Sequence, residues 1–300
     1  MSARVAFTKM VGTGNDFIIV DARRQRLGAI SRQWPAAARA LCRRQNGIGA
    51  DGILVLETSR KADVRMRIFN ADGSEAEMCG NGARCVALYE AAAASPGSGG
   101  RRVAPRAVTI ETKAGTLSAT VRGEQVAMRM TEPTGFMPEL SVDVDGTRLR
   151  LGFVNTGVPH ALVPVQSVDA VNVERTGRSL RRHRQFAPQG TNVNFVQADA
   201  EDRDAITVRT YERGVEAETL ACGTGATAAA VMHAVRQGLP AGNGSTHARR
   251  IGVRVRSGDT LYVSMRVRRA AAGLHVTDVV LEGPARRVFE GAVMWPLRRD

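Results

Sequence analysis

Cysteine, lysine and the large aromatic residues are scarce in this chain of 300 residues, and it has no long apolar run. Four cysteines, none at C-x-x-C spacing, exclude a disulfide framework, and no metal site is expected. With three lysines, Lys9, Lys61 and Lys113, none in a matching setting, a Schiff-base pyridoxal phosphate enzyme is disfavoured. No segment reaches the roughly 18 apolar residues of a membrane-spanning helix. The start, Met1 to Gly14, lacks a secretory apolar core, so a cytoplasmic location is expected. What is present is 43% hydrophobic residues, enough to exclude disorder as the main state. The length suggests two domains of about 150 residues each.

Charge is lopsided. Lysine and arginine total 42 against 29 acidic residues, a net charge of +13. The arginines lie in small scattered clusters, such as Arg181-Arg182 and Arg249-Arg250. Such a surface suits acidic ligands or nucleic acid. With two tryptophans and three tyrosines, however, the stacking partners of a single-strand groove are few. The expected partner is a small molecule, with neither nucleic acid nor a membrane.

Along the chain, Val5 to Asp21 reads as strand, turn and strand about Gly12-Thr13-Gly14-Asn15. Pro35 to Arg44 reads as a helix with proline near its start. Strands are expected at Ile53 to Glu57, Arg65 to Asn70, Ala107 to Thr112, Thr116 to Val121 and Val126 to Met130. Gly80 to Ala94 reads as a glycine turn entering an Ala-rich helix, and so does Gly223 to Arg236. Ser95 to Arg106 and Gly238 to Arg250 read as loops, and Thr131 to Pro138 as an interdomain crossing. Further strands are expected at Ala161 to Val165, Asn192 to Gln197, Ile206 to Tyr211, Gly252 to Val255, Leu261 to Val267 and His275 to Leu281. Strands outnumber helices, which makes the class α+β. Gly47-x-Gly49-x-x-Gly52 matches a dinucleotide fingerprint in letters only. A helix precedes it and a strand follows, the reverse of the required order.

The two halves repeat. Val11-x-Thr13-Gly14 returns as Val154-x-Thr156-Gly157, and Cys79-Gly80-x-Gly82-Ala83 returns as Cys222-Gly223-x-Gly225-Ala226, both at a spacing of 143 positions. A duplicated domain with pseudo-twofold symmetry follows.

Each cysteine precedes a glycine-rich entry into a helix. A helix N-terminus offers unbonded N–H groups and a positive dipole end. It lowers the pKa of a cysteine placed there. The amides at Gly80-Asn81 and Gly223-Thr224 can hold a carboxylate. If symmetry brings both turns to one substrate, one thiolate removes a proton from one face and the opposite thiol returns one to the other. Cys42 and Cys85, inside helical stretches, read as structural.

These residues resemble the diaminopimelate epimerase family along nearly the whole chain. The likeness rests on Gly12-Thr13-Gly14-Asn15-Asp16-Phe17, Gly47-Ile48-Gly49-Ala50-Asp51-Gly52, Phe69-Asn70-Ala71-Asp72-Gly73-Ser74, Met78-Cys79-Gly80-Asn81-Gly82-Ala83-Arg84, Pro159-His160, Tyr211-Glu212-Arg213-Gly214 and Ala221-Cys222-Gly223-Thr224-Gly225-Ala226. The resemblance implies a cofactor-independent isomerase interconverting LL- and meso-diaminopimelate in lysine and cell-wall precursor synthesis. It implies two similar α+β domains, each a curved, mostly antiparallel sheet around a central helix, with the site in the cleft. The domains would be residues 1–131 plus 283–300, and 132–282. A homodimer is implied as well.

By the same resemblance, Cys79 and Cys222 match the acid/base pair, and His160 and Glu212 match positions that tune the thiols. Gly80, Asn81, Gly223 and Thr224 match the reacting-carboxylate site. Asn15, Asn70, Asn192, Glu212 and Arg213 match contacts around the substrate and its distal end. Many members carry asparagine where Val158 stands, so that contact is missing or replaced, with Asn155 as one replacement. Some carry glutamine at Gly52. Proline racemase shares the fold and also uses two cysteines, and it is the alternative within the fold. An Arg-rich nucleic-acid binder is the alternative outside it, and leaves the paired cysteine turns unexplained.

Overall fold

The computed structural model describes residues 3–94, 104–238, 246–270 and 273–296. Most of the loop expected at Ser95 to Arg106 lies outside these, as does the stretch 239–245. The chain divides into two compact units, Met1–Met128 with Gly283–Asp300, and Arg129–Glu282. In the first unit run β1 (Ala3–Gly12), β2 (Asn15–Asp21), α1 (Trp34–Leu41), β3 (Gly52–Glu57), β4 (Val64–Asn70), β5 (Glu75–Ala76), α2 (Gly80–Ala93), β6 (Arg106–Thr112), β7 (Gly115–Arg122) and β8 (Gln125–Arg129). In the second run β9 (Thr134–Val144), β10 (Thr147–Asn155), β11 (Pro159–Pro164), α3 (Val173–Arg181), β12 (Asn192–Ala198), β13 (Ala205–Glu212), β14 (Ala217–Thr219), α4 (Gly223–Arg236), β15 (Thr246–Arg254), β16 (Thr260–Ala270) and β17 (Gly273–Pro284). The last strand, β18 (Arg286–Trp295), pairs antiparallel with β1.

The duplication read from two short motifs extends to every strand pairing. In the first unit β2 and β3 are parallel, β3 and β4 antiparallel, β4 and β6 parallel, and β6 and β7 antiparallel. In the second, β11 and β12, β12 and β13, β13 and β15, and β15 and β16 repeat that pattern. β5 hangs on β4 as β14 hangs on β13.

Each sheet curves around one helix. α2 touches β1, β2, β4, β6, β7 and β18; α4 touches β9 through β13, β15 and β16. Strand alternation explains the layering. Phe17, Ile19, Leu54 and Leu56 pack with Ala83, Val86 and Ala87 of α2. Ile18, Val20, Ile53 and Val55 point the other way, onto Trp34, Ala37, Ala38 and Leu41 of α1. The parallel pair β2–β3 is therefore apolar on both faces, as a strand covered on both sides must be. Alanine dominates the central helices because a small side chain lets surrounding strands approach at low entropy cost.

Some boundaries differ from the sequence reading. The crossing expected at Thr131 to Pro138 is shorter, since β9 already starts at Thr134 and joins β10 through Asp145 and Gly146, both at positive φ. That is the backbone a tight two-residue hairpin demands. The expected loop at Gly238 to Arg250 is already strand from Thr246. α1 ends at Leu41, and Cys42 is its buried C-cap rather than an interior residue. Cys85 lies wholly buried within α2, where burial pushes its thiol up to about 12.

Candidate active site

Both Gly-entry helices begin in the same way. Cys79 is the N-cap of α2 and Cys222 the N-cap of α4, each with extended backbone and neither capping the helix with its side chain. Neither first turn holds an acidic residue. α3 shows the ordinary solution: Asn172 accepts from the Arg175 N–H, and Glu174 stands in the first turn. The two cysteine helices carry no such acidic residue in their first turns, so an anion placed at either positive end would meet no like charge from the helix itself. Around Gly80 the space is open, for a Cβ built there meets nothing within 4 Å.

In the first unit, Asn15 opens β2 and donates from Nδ2 to Asp51 Oδ2 at 2.8 Å. Its Oδ1 accepts from Asn81 Nδ2 at 2.6 Å. Asn81, buried in the first turn of α2, in turn accepts from Arg84 Nη2 at 2.6 Å. Behind Asn15 the buried Lys9 pairs with Asp16 at 2.7 Å and donates to the Gly49 carbonyl. Burial raises the Asp16 carboxyl, but bonds from Arg44 and Lys9 outweigh it and hold the group below its ordinary range. Asn70 ends β4 and is exposed, with Nδ2 donating to Ser74 Oγ at 3.0 Å.

In the second unit, Cys222 is 8% exposed, and its Sγ lies 3.4 Å from Thr224 Oγ1. Thr156 donates to the Thr224 carbonyl at 3.0 Å, tying the β10–β11 turn to the first turn of α4. Asn192 and Asn194 alternate with Val193 and Phe195 on β12. Val193 and Phe195 pack in the cluster holding α3, which places the two amides on the opposite face. Asn192 donates to the Pro159 carbonyl at 3.0 Å and accepts from the Arg213 backbone N–H at 2.8 Å. It thus positions Arg213, whose guanidinium reaches the Gln189 carbonyl at 3.3 Å.

His160, wholly buried, has its Nδ1 3.1 Å from Asn194 Nδ2. Burial, helped by the charge of Arg213, pulls its pKa down to about 3, so the ring is neutral. Burial also pushes the Glu212 carboxyl up, with the Thr219 hydroxyl opposing it. Gly225 is fixed by close approach: an added Cβ would fall 2.4 Å from Asn194 Oδ1 and 3.3 Å from Cys222 Sγ. Asn155, one replacement considered for the missing asparagine at Val158, instead accepts the Gly157 N–H at 2.9 Å and caps its own turn.

Within each unit some of the expected residues meet: Asn81 donates to Asn15, and Asn192 accepts from the Arg213 N–H, whereas Asn70 bonds to Ser74. Among the described residues, Glu212 and His160 are not hydrogen-bonded to each other, and the His160 ring meets Asn194 instead. Thr13, Asp51, Arg84, Thr156 and Asn194 carry these networks and were given no role from sequence. The repeated Thr13 and Thr156, and the Asn-x-Asn alternation within a buried strand, were the available signals.

The diaminopimelate epimerase family model matches residues 7–135 and 152–272. The diaminopimelate epimerase of Aquifex aeolicus is 39% identical over 295 residues, 95% of this chain and 96% of that one. That of Archaeoglobus fulgidus is 44% identical over 250 residues, 79% of this chain and 83% of its own. Among solved structures, a phenazine biosynthesis protein of the PhzF family from Bacillus anthracis superposes with a TM-score of 0.66 at 20% identity, covering 97% of this chain and 99% of that one. A probable proline racemase from Agrobacterium radiobacter superposes with a TM-score of 0.66 at 19% identity, covering 96% and 92%. These last two likenesses are of fold. The sequence relatives go further, and with the family model they show that the chain belongs to the diaminopimelate epimerase family of isomerases.

Proposed function

We propose that this chain interconverts LL- and meso-diaminopimelate without a cofactor, using one thiol from each unit, in the supply of lysine and cell-wall precursors. The observation that carries the reading is the duplicated one: Cys79 and Cys222 each cap a 14-residue helix whose first turn lacks an internal anion. In this reading the reacting carboxylate lies on the amides of Gly80-Asn81 and Gly223-Thr224. One cysteine, as thiolate, takes the α-proton and becomes a thiol. The C–H electron pair passes to the carbanion, which the bound carboxylate and the helix ends stabilise. The other thiol gives its proton to the opposite face and becomes the thiolate. Charge and protons balance, and configuration inverts. Arg213, Asn15, Asn70 and Asn192 attend the substrate's distal end, where a guanidinium grips a carboxylate bidentately. Glu212 meets an ammonium there, and with the neutral His160 it sets the ionisation of the thiols. The working form in this reading is a cytoplasmic homodimer.

The test is α-proton exchange in heavy water. Reduced protein and LL-diaminopimelate, with no added cofactor, should yield deuterated meso product, and Cys79→Ala and Cys222→Ala should each abolish epimerisation. Exchange of proline but not of diaminopimelate would leave the two-thiol chemistry standing and replace the substrate. Exchange of neither would overturn the reading.

A further inference from the structure

Arg84 is fully buried in α2, five residues beyond Cys79, and it breaks the symmetry between the units. Its Nη2 donates to Thr13 Oγ1 at 2.5 Å and to Asn81 Oδ1 at 2.6 Å. Thr13 belongs to the β1–β2 turn and holds φ at +52°, a left-handed conformation costly for a β-branched residue. Asn81 carries the bond onward to Asn15. One guanidinium thus clasps both segments of the first half-site. At the repeat-related position of the second unit stands Thr227, whose hydroxyl stays within its own helix on the Gly223 carbonyl at 2.9 Å. There Thr156 reaches the Thr224 carbonyl directly, with no cation between.

Building on the proposed epimerase reading, we propose that Arg84 is a positioning residue of the first half-site alone, locking the strained Thr13 turn to the first turn of the helix that presents Cys79, where it also fixes the Asn81 side chain. A fork of donors in one plane can hold two acceptors at fixed angles; a lysine ammonium cannot do so as rigidly. Misplacing reacting groups by about 1 Å costs on the order of a hundredfold in rate.

The test uses Arg84→Met and Arg84→Lys in the full chain. Two readouts are taken: steady-state epimerisation of diaminopimelate, and iodoacetamide labelling of Cys79 against Cys222, resolved by peptide mass spectrometry. The expected result is a fall in kcat/KM of at least about tenfold, shared between kcat and KM and not rescued by lysine. The Cys79 labelling rate should shift by about fivefold or more while Cys222 stays within about twofold. A smaller folded fraction would lower kcat alone and would expose both cysteines alike. Unchanged kinetics, or equal shifts at the two thiols, overturns the inference. If Arg84→Met does not fold, Thr13→Val removes one of the two bonds without emptying the buried site and carries the same test. If the wild type leaves diaminopimelate untouched, the substrate reading fails, while the labelling ratio still decides the role of Arg84.

Discussion

Asn194 Nδ2 lies 3.1 Å from His160 Nδ1, and that one contact fixes where the imidazole proton sits. The amide's Oδ1 accepts from the Thr210 hydroxyl, and its Nδ2 also donates to the Ala161 carbonyl. The orientation of the amide is therefore set by its network, and the N–H facing the ring is a donor. Nδ1 must accept. The proton resides on Nε2, which is buried and has no hydrogen-bond partner among the described residues.

A neutral buried imidazole makes folding depend on pH. The unfolded ring titrates near 6.5, the folded one near 3. Above the unfolded value His160 contributes its full share. As pH falls from 6.5 toward 3, the unfolded chain takes up a proton that the folded chain refuses, and stability is lost at up to about 1.4 kcal/mol per pH unit. Urea unfolding at pH 7.5, 6 and 5 should show this slope in the wild type and a slope shallower by nearly one proton in His160→Gln. Equal slopes would mean the ring is charged or exposed in the native state.

Asn192 yields a second prediction. Its buried amide satisfies the Pro159 carbonyl and the Arg213 N–H together. Truncation leaves both without this partner, at about 1–3 kcal/mol for each group that stays dry. Asn192→Ala should lower the melting temperature and raise KM, because the backbone that carries Arg213 is released. Asn192→Asp keeps the acceptor for Arg213 and loses the donor to Pro159, so its KM should lie between the two. A KM for Asn192→Asp equal to that of the alanine variant would remove Arg213 positioning from the account.

How far the sequence led depended on where its signals were redundant. The two cysteine turns were legible as helix entries because each occurs twice at one spacing, and the second copy turns a weak motif into a pattern. The β9–β10 hairpin went unread although Asp145-Gly146 is a strong turn signal, because Pro133 and Pro138 suggested a linker. β9 pairs with β10 and, among the described residues of its unit, with no other strand, and an edge strand accepts a proline. α3 announces itself by Val173, Gly177 and Leu180, buried at helical spacing behind the Asn172 cap, and its short polar sequence hid them. Arg84 was masked by its own kind: among 39 arginines, a buried one looks like the rest. Asn194 required knowing that β12 turns two alternate amides toward α4, and that comes from pairing rather than from composition.

Two glycines at the cysteine turns should respond oppositely to alanine. Gly225 has no room. A Cβ 2.4 Å from Asn194 Oδ1 must displace the amide that holds His160, and at 3.3 Å it also presses on Cys222 Sγ. Gly225→Ala should be destabilised by about 1–3 kcal/mol, the usual cost of overpacking, and should lose most of its activity. Gly80 has open space, so Gly80→Ala should unfold within about 0.5 kcal/mol of wild type. In the proposed function that space receives the substrate carboxylate, so its KM should rise without loss of stability. A Gly80→Ala enzyme with unchanged KM would place the carboxylate elsewhere.

Glu212 carries the sharpest separation of stability from function. Burial raises its carboxyl above the ordinary 4.5, which means the folded state disfavours the charged form. For an acid shifted upward, stability is greatest below the unfolded pKa and declines as pH rises through the folded value, where the unfolded chain sheds its proton first. Replacing the carboxyl by an isosteric amide removes that penalty. Glu212→Gln should therefore be more stable than wild type at pH 8 and converge with it near pH 4, as followed by thermal unfolding across that range. Activity should move the other way, since the amide neither pairs with an ammonium nor exchanges a proton. A variant destabilised at pH 8 would show that the charged carboxylate has a native partner strong enough to outweigh its burial, and would reverse the sign of its contribution.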